Sequence, residues 1–255
     1  MSRRGSVGTS PDAAAFYARP SLLRRRWLGD WWTLLHPPYT LWHLAYVTIG
    51  GCLVGPVSVS RLVATLLAFF LAVGIGAHAL DELRGRPLGT AIPRWQLVAA
   101  AAGGLVGATA LGIVGVVVVG PVLIAFIVVG LVLAIGYNLE LWGGRLHHDA
   151  VFALAWGAFP VLTAFAAQHG TLDAAAVLAA TFAAGTAATQ RRLSTPARQL
   201  RRRTASVHGE VVALDGTSSP LDAATMLAPL EHALQAMSLA MVALGAALAV
   251  ARLHP

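Results

Sequence analysis

Seven stretches of this chain, at approximately 39–59, 62–81, 95–117, 120–139, 150–168, 172–190 and 229–252, are apolar and nearly free of charge. About 20 mostly apolar residues suffice for a helix to cross the hydrocarbon core of a bilayer. A charge at mid-span costs roughly 2.5–3.5 kcal/mol on insertion scales, so long charge-free windows carry information. Only 11% of the residues are charged, against about 25% in an ordinary soluble domain. The expectation is an all-α fold: a polytopic membrane helical bundle of about seven transmembrane helices. Short turns at Gly120-Pro121 and Gln168-His169-Gly170 imply antiparallel neighbours. Small residues such as Gly103, Gly104 and Gly107 let helix backbones approach closely.

Threading the seven stretches from a cytoplasmic amino terminus puts residues 1–30 and the 82–94, 140–149 and 191–228 loops on one side. All 18 basic residues are arginine; 16 fall on that side and only Arg61 and Arg252 on the other. The positive-inside rule therefore orients the chain as an integral, multi-pass cell-membrane protein with its amino terminus in the cytoplasm. Residues 1–30 lack the continuous apolar core of a cleavable signal and read as a disordered basic cytosolic tail. Residues 31–255 form the bundle. Cys52 is the sole cysteine, so a disulfide within the chain is excluded.

Polar chemistry gathers on the arginine-rich side. His78, Asp81 and Glu82 follow an i, i+3, i+4 spacing at the end of the second stretch, presenting an imidazole and two carboxylates together. Mg²⁺ favours one or two carboxylates plus phosphate oxygens, so Asp81 and Glu82 are the candidate metal-binding and catalytic pair. The same two acids would equally pair with Arg84 and Arg86 and cap the loop. Tyr137 and Asn138 mark the exit of the fourth stretch, and Gln190, Arg191 and Arg192 that of the sixth. Thr195-Pro196 reads as a helix start, a hydroxyl N-cap followed by proline at the first helical position. In that helix Arg198, Arg201 and Arg202 would share a face. Their forked guanidinium groups suit phosphate oxygens or, alternatively, anchor the chain on anionic lipid. Asp215-Gly216 signals a turn within the 204–222 connector, whose Glu210, Asp215 and Asp222 either fold over the rim or stay in a plain loop. Trp27, Trp31, Trp32, Tyr39 and Trp42 read as an interfacial aromatic belt.

These residues resemble the UbiA-type membrane prenyltransferase superfamily. That family carries an N-D-x-x-D-x-x-x-D loop after its second span, followed by an R-P-L element, and a second aspartate-rich loop after its sixth. Over residues 30–205 the order of spans, loops and sides is similar. Arg86-Pro87-Leu88 matches the R-P-L element, His36-Pro37-Pro38 resembles the family's R-P opening, and Tyr137 stands where the family often has tyrosine. Asp81 keeps the middle aspartate. Ala77 and His78 replace the leading N-D, Gly85 replaces the last aspartate, arginines replace the second acidic loop, and a single span follows it.

The resemblance implies transfer of a prenyl group from a prenyl diphosphate to a lipophilic acceptor within the lipid bilayer, assisted by Mg²⁺. It implies Asp81 and Glu82 at the metal, and Arg84, Arg86, Arg191, Arg192, Arg198, Arg201 and Arg202 around the diphosphate. His78, Tyr137, Asn138 and Gln190 would form the polar rim. No nucleic-acid partner is expected. The competing expectation is a non-catalytic protein that binds a polyprenyl phosphate or anionic lipid, or scaffolds a partner. A transporter would carry charged residues near mid-bilayer, and the first six stretches show none.

Overall fold

The computed structural model describes residues 26–253, which are overwhelmingly helical. Helix α1 (Arg26–Leu35) leads into α2 (Pro37–Cys52), α3 (Val59–Leu83), α4 (Arg94–Val119), α5 (Val122–Asn138), α6 (Asp149–His169) and α7 (Ala174–Arg202). An antiparallel hairpin of β1 (Gly209–Val212) and β2 (Ser218–Leu221) then precedes α8 (Ala223–Leu253). Of the expected tail, residues 1–25 lie outside the described residues, and Arg26–Asp30 are the opening turns of α1 rather than tail.

Four helices, α3, α4, α6 and α8, are long and apolar enough to cross a membrane. Each of the seven expected stretches carries a helix, but three fall short of that standard. Helix α2 has 16 residues and α5 has 17, while α7 is rich in alanine and threonine and ends among arginines. Helix α4 buries little beyond Leu97, Ala101 and Gly104 and leaves Val106, Ile113, Val114 and Val117 exposed along its length. So continuous an apolar surface requires apolar surroundings.

Small residues set the helix crossings. A Cβ on Gly157 would lie 2.5 Å from the carbonyl oxygen of Ala183, so α6 and α7 touch backbone to backbone there. Gly104 brings α4 against α3 in the same way, its Cβ direction meeting the Leu71 carbonyl at 2.5 Å. Helix α2 sits centrally, packed on α6 and α8.

One end of the bundle is closed by backbone caps. Arg61 donates to the Gln168 carbonyl at 2.8 Å, and the Gln168 side chain bonds both the N–H and the carbonyl of Ser58. Arg252 donates to the carbonyls of Cys52 and Leu53. Both arginines at this end therefore satisfy carbonyls that helix termini leave open. Asp173 caps the start of α7, accepting from the Ala176 N–H at 2.8 Å.

At the other end the chain departs from the expected layout. No helix starts at Thr195-Pro196: α7 runs through Pro196 to Arg202, so residues 191–202 are its last turns rather than a loop. The connector folds as the hairpin, with its turn at Asp215-Gly216. Asp215 accepts from the side chain and N–H of Thr217, and Asp222 from the N–H and side chain of Thr225. These bonds hold both carboxyls below the usual carboxylate range.

Candidate functional site

Two helices depart from regular α geometry near the arginine-rich end. Helix α3 is π-helical over Phe70–Ala77, and α6 over Leu154–Ala158. A π turn adds a residue to the helical repeat and re-aims the side chains beyond it, and such turns recur at functional sites. The first delivers His78, Asp81 and Glu82; the second carries Trp156. The His78 ring bonds the Gly74 carbonyl through Nδ1 at 3.2 Å.

The two acids part company. Glu82 is fully buried. Its Oε2 accepts from the Leu88 N–H at 2.9 Å, and its Oε1 accepts from the Thr90 N–H and hydroxyl, both at 2.8 Å. Adjacent helical residues point about 100° apart, and here one points under the following loop while its neighbour stays half-buried at the rim. Glu82 organises the loop, both of its carboxylate oxygens accepting from it. Arg86 completes the same loop by donating to the carbonyls of Thr90 and Ile92.

Most acids at this end are spoken for. Arg84 donates to Glu140 at 2.7 Å, which holds that exposed carboxyl below its ordinary range, and also to the Leu139 carbonyl. Arg191 pairs with Asp149 at 2.5 Å, and Arg201 pairs with Glu231, joining α7 to α8. Arg202 donates to the Pro87 carbonyl at 2.8 Å, tying the end of α7 to the loop after α3. Asp81 is different. Its carboxylate has no hydrogen-bond or ion-pair partner among the described residues and lies within electrostatic reach of His147, Glu82, Arg198 and Glu140.

The structure thus brings Asp81, Arg191 and Arg198 within electrostatic reach of Tyr137, leaves His78 beside His36, and uses Arg84, Arg86, Arg201 and Arg202 as ties between elements. Arg192 is exposed beside Asp149. Gln190 is buried, and Asn138 is buried with its amide on the Ala134 carbonyl at 2.7 Å. Tyr137 is buried against His147, their rings stacked 4.4 Å apart.

The ring cluster beneath these groups was not read from the sequence. Five rings close on one another: Tyr39 to His43 at 4.6 Å, His43 to Trp156 at 6.1 Å, Trp156 to Tyr137 at 5.5 Å, Tyr137 to Phe152 at 6.3 Å, and Phe152 back to Tyr39 at 6.5 Å. The Arg191 guanidinium stands 4.9 Å over the Phe152 ring. His36 packs edge-on to His78 at 5.9 Å. Burial, with His78, Arg202 and Arg198 nearby, lowers the pKa of His36 to about 3. The sequence does contain a signal for part of this cluster: His43 is an ionisable residue inside an apolar stretch, which by default points to function.

Beside the cluster runs an apolar cavity of about 350 Å³ between α3, α4, α5 and α6. Phe69, Phe126 and Phe159 line it beside small residues such as Ala68 and Gly112, and Trp156 also borders it. From Ser60 to Val73 it follows α3 for about 20 Å at 1.5 Å per residue.

Among the described residues, no group of three or more His, Cys, Asp or Glu is arranged to hold a metal ion. The donor set fits Mg²⁺ only as Asp81 together with oxygens brought by a phosphorylated ligand, a combination Mg²⁺ accepts. Comparison of the chain with protein families, characterised proteins and solved structures gave no match.

Proposed function

We propose that this protein binds a prenyl diphosphate and transfers its prenyl group to a lipophilic acceptor, as a divergent member of the UbiA-type superfamily. The observation that carries the reading is that Trp156 belongs to the ring cluster beneath Arg191 and also lines the apolar cavity. An amphiphile with an anionic head and a long apolar tail is the ligand such an arrangement suits. In this reading all seven long helices cross the bilayer, α2 and α5 as short spans. The amino terminus and the arginine-rich end face the cytoplasm.

The chain's own residues supply binding and charge. Arg198 and Arg191 face the diphosphate, Arg191 keeping its place through Asp149 and Phe152. Preorganised cations at a departing diphosphate stabilise the charge that develops as the allylic carbon–oxygen bond breaks. Mg²⁺ held by Asp81 and the ligand's oxygens would add further neutralisation of the leaving group. The tail lies along α3 toward Ser60, and the rings of Tyr39, Phe152 and Trp156 shield the reacting carbon from water. Glu82, Arg84, Arg86, Arg201 and Arg202 act on the reaction only by holding loops and helices in place.

The test is diphosphate release from geranylgeranyl diphosphate by purified protein with Mg²⁺ in lipid nanodiscs. Asp81→Ala abolishes release. Ala68→Trp, which fills the cavity, shifts donor preference toward shorter prenyl chains. Absence of release across donors and acceptors, with salt-sensitive lipid binding indifferent to Asp81, would replace the transferase with the lipid-binding reading.

A further inference from the structure

We propose that the groove between the start of α1 and the start of α4 seats one anionic phospholipid of the bilayer. Trp27 and Trp31 form its α1 side, and Pro93, Trp95, Gln96 and Ala99 its α4 side, around a space of about 680 Å³. Trp27 is 58% exposed and Trp95 70% exposed, so two large indoles stand open at the groove instead of packing in the core. The expected interfacial belt joins Trp27 and Trp31 to Trp42; in the structure Trp42 is buried, and Trp95 stands with the other two instead. The walls are fixed in place. Leu34 of α1 is buried in one cluster with Ile92 and Leu97, and Asp30 accepts from the Ala91 N–H at 3.2 Å.

The surroundings of the groove name its occupant. Helix α4 begins at Arg94 and is long and apolar enough to cross a membrane, which sets the groove at the level where such a helix enters from the headgroups. Indoles favour that depth, with an apolar body and one polar N–H. By the 3.6-residue repeat, Trp95, Ala99, Val106, Ile113 and Val117 fall on one face of α4, and all five are exposed. A chain leaving the groove along α4 therefore stays on apolar surface for the length of the helix. That is the path of an acyl chain.

The head must be anionic. Residues 24–35 and 90–100, which carry the two sides of the groove, contain four arginines (Arg24, Arg25, Arg26 and Arg94) against one acid. The acid is Asp30, already engaged by the Ala91 N–H. Arg94 lies between the lining residues Pro93 and Trp95 and has no ion-pair partner among the described residues. Its long side chain can keep its stem on the groove and its guanidinium at the lipid phosphate. Gln96 is the one amide in the lining and offers a donor to an ester carbonyl. A zwitterionic lipid would meet the apolar face equally well but leave the excess of arginine unanswered. The groove shares no lining residue with the apolar cavity beside Trp156, so the lipid seat is independent of the prenyl-transfer reading.

The experiment counts bound lipid by native mass spectrometry of the full-length protein, titrated with phosphatidylglycerol or with phosphatidylcholine of the same acyl chains. One phosphatidylglycerol binds at least about fivefold tighter than phosphatidylcholine, the effect of one basic residue at an anionic surface. Arg94→Gln removes that preference, and Trp95→Ala weakens both lipids; each changes an exposed side chain and leaves the fold intact. Arg145→Gln, which removes the same charge from another exposed position, leaves the preference in place. Equal binding of the two lipids overturns the proposal, as does an equal loss from Arg94→Gln and Arg145→Gln, which would reduce the effect to total charge. Displacement of the lipid by soluble glycerol 3-phosphate, or a Trp95-dependent dimer in place of bound lipid, would give the groove another occupant and overturn it too. Loss of the bound phosphatidylglycerol in Asp81→Ala would move the lipid to the arginine-rich site of the prenyl-transfer reading; its retention, whether or not diphosphate is released, keeps the two claims apart.

Discussion

Glu82→Gln tests whether this acid belongs to the metal or to the loop. The carboxylate accepts three bonds, one at Oε2 from Leu88 and two at Oε1 from Thr90. Glutamine keeps the shape but turns one oxygen into a donor. Placed at the Oε2 position, the new amide faces the Leu88 N–H and that bond is lost. The two bonds at the other oxygen survive as neutral ones. Bonds to a charged group contribute roughly 1.5–3 kcal/mol and neutral ones about 0.5–1.5, so one loss and two weakenings cost on the order of 3–5 kcal/mol. The loop responds first. Trypsin cuts only after arginine in a chain without lysine, and the bond after Arg86 is protected by Pro87, so accelerated cleavage after Arg84 reports the loop opening. Diphosphate affinity per folded molecule stays as in the unmodified protein. A Glu82→Gln protein of unchanged stability and protease resistance that has lost Mg²⁺-dependent ligand binding would refute the reasoning and return Glu82 to the metal.

Other consequences are as direct. Gly157→Ala forces a Cβ against the backbone of Ala183 and Ala184 and costs about 1–3 kcal/mol or more in detergent unfolding, whereas Gly185→Ala, with open space around it, is neutral or stabilising. Arg201→Ala strands the buried Glu231 and costs about 3–5 kcal/mol, while Arg198→Ala leaves stability nearly unchanged and weakens only diphosphate binding; equal stability losses from the two would remove the division between ties and ligand-facing arginines. His36, with its folded pKa lowered from 6.5 to about 3, binds fewer protons in the native state. The stability tied to its neutral form is present above pH 6.5 and falls as pH drops toward 3, by up to about 1.4 kcal/mol per unit. His36→Gln should flatten that slope between pH 6.5 and 5 in a pH series of unfolding measurements.

Where the helices lie could be read from the chain because lipid-facing surface needs only apolarity, and every expected stretch carries a helix. How many cross a membrane was less legible. Apolarity alone does not separate a 16-residue helix with most of its residues buried against its neighbours, as in α2, from a lipid-exposed one such as α4. The division of arginines between ends was visible too, but not their tasks. Arg201 finds Glu231 thirty positions away and Arg202 finds the Pro87 carbonyl across 115 positions, and nothing local in either arginine's surroundings announces such a partner.

The acids show why local periodicity fails at a site. The i, i+3, i+4 spacing of His78, Asp81 and Glu82 falls wholly within the α-helical turn His78–Leu83, but adjacent residues still point about 100° apart, so Asp81 stays at the rim while Glu82 turns under the loop. Glu82 then meets Thr90, eight residues on, because the Arg86 to Gly89 turn folds the chain back over it. His43 was hidden for the opposite reason. Tyr39 and Trp42 read as an interfacial belt, and His43, which follows them, received no reading of its own. Its significance lies in one ring nitrogen fixed by the Tyr39 carbonyl and the other left bare. That asymmetry exists only once α2 is packed against Trp156, so the residue type could be seen in the sequence while the chemistry it offers belongs to the fold.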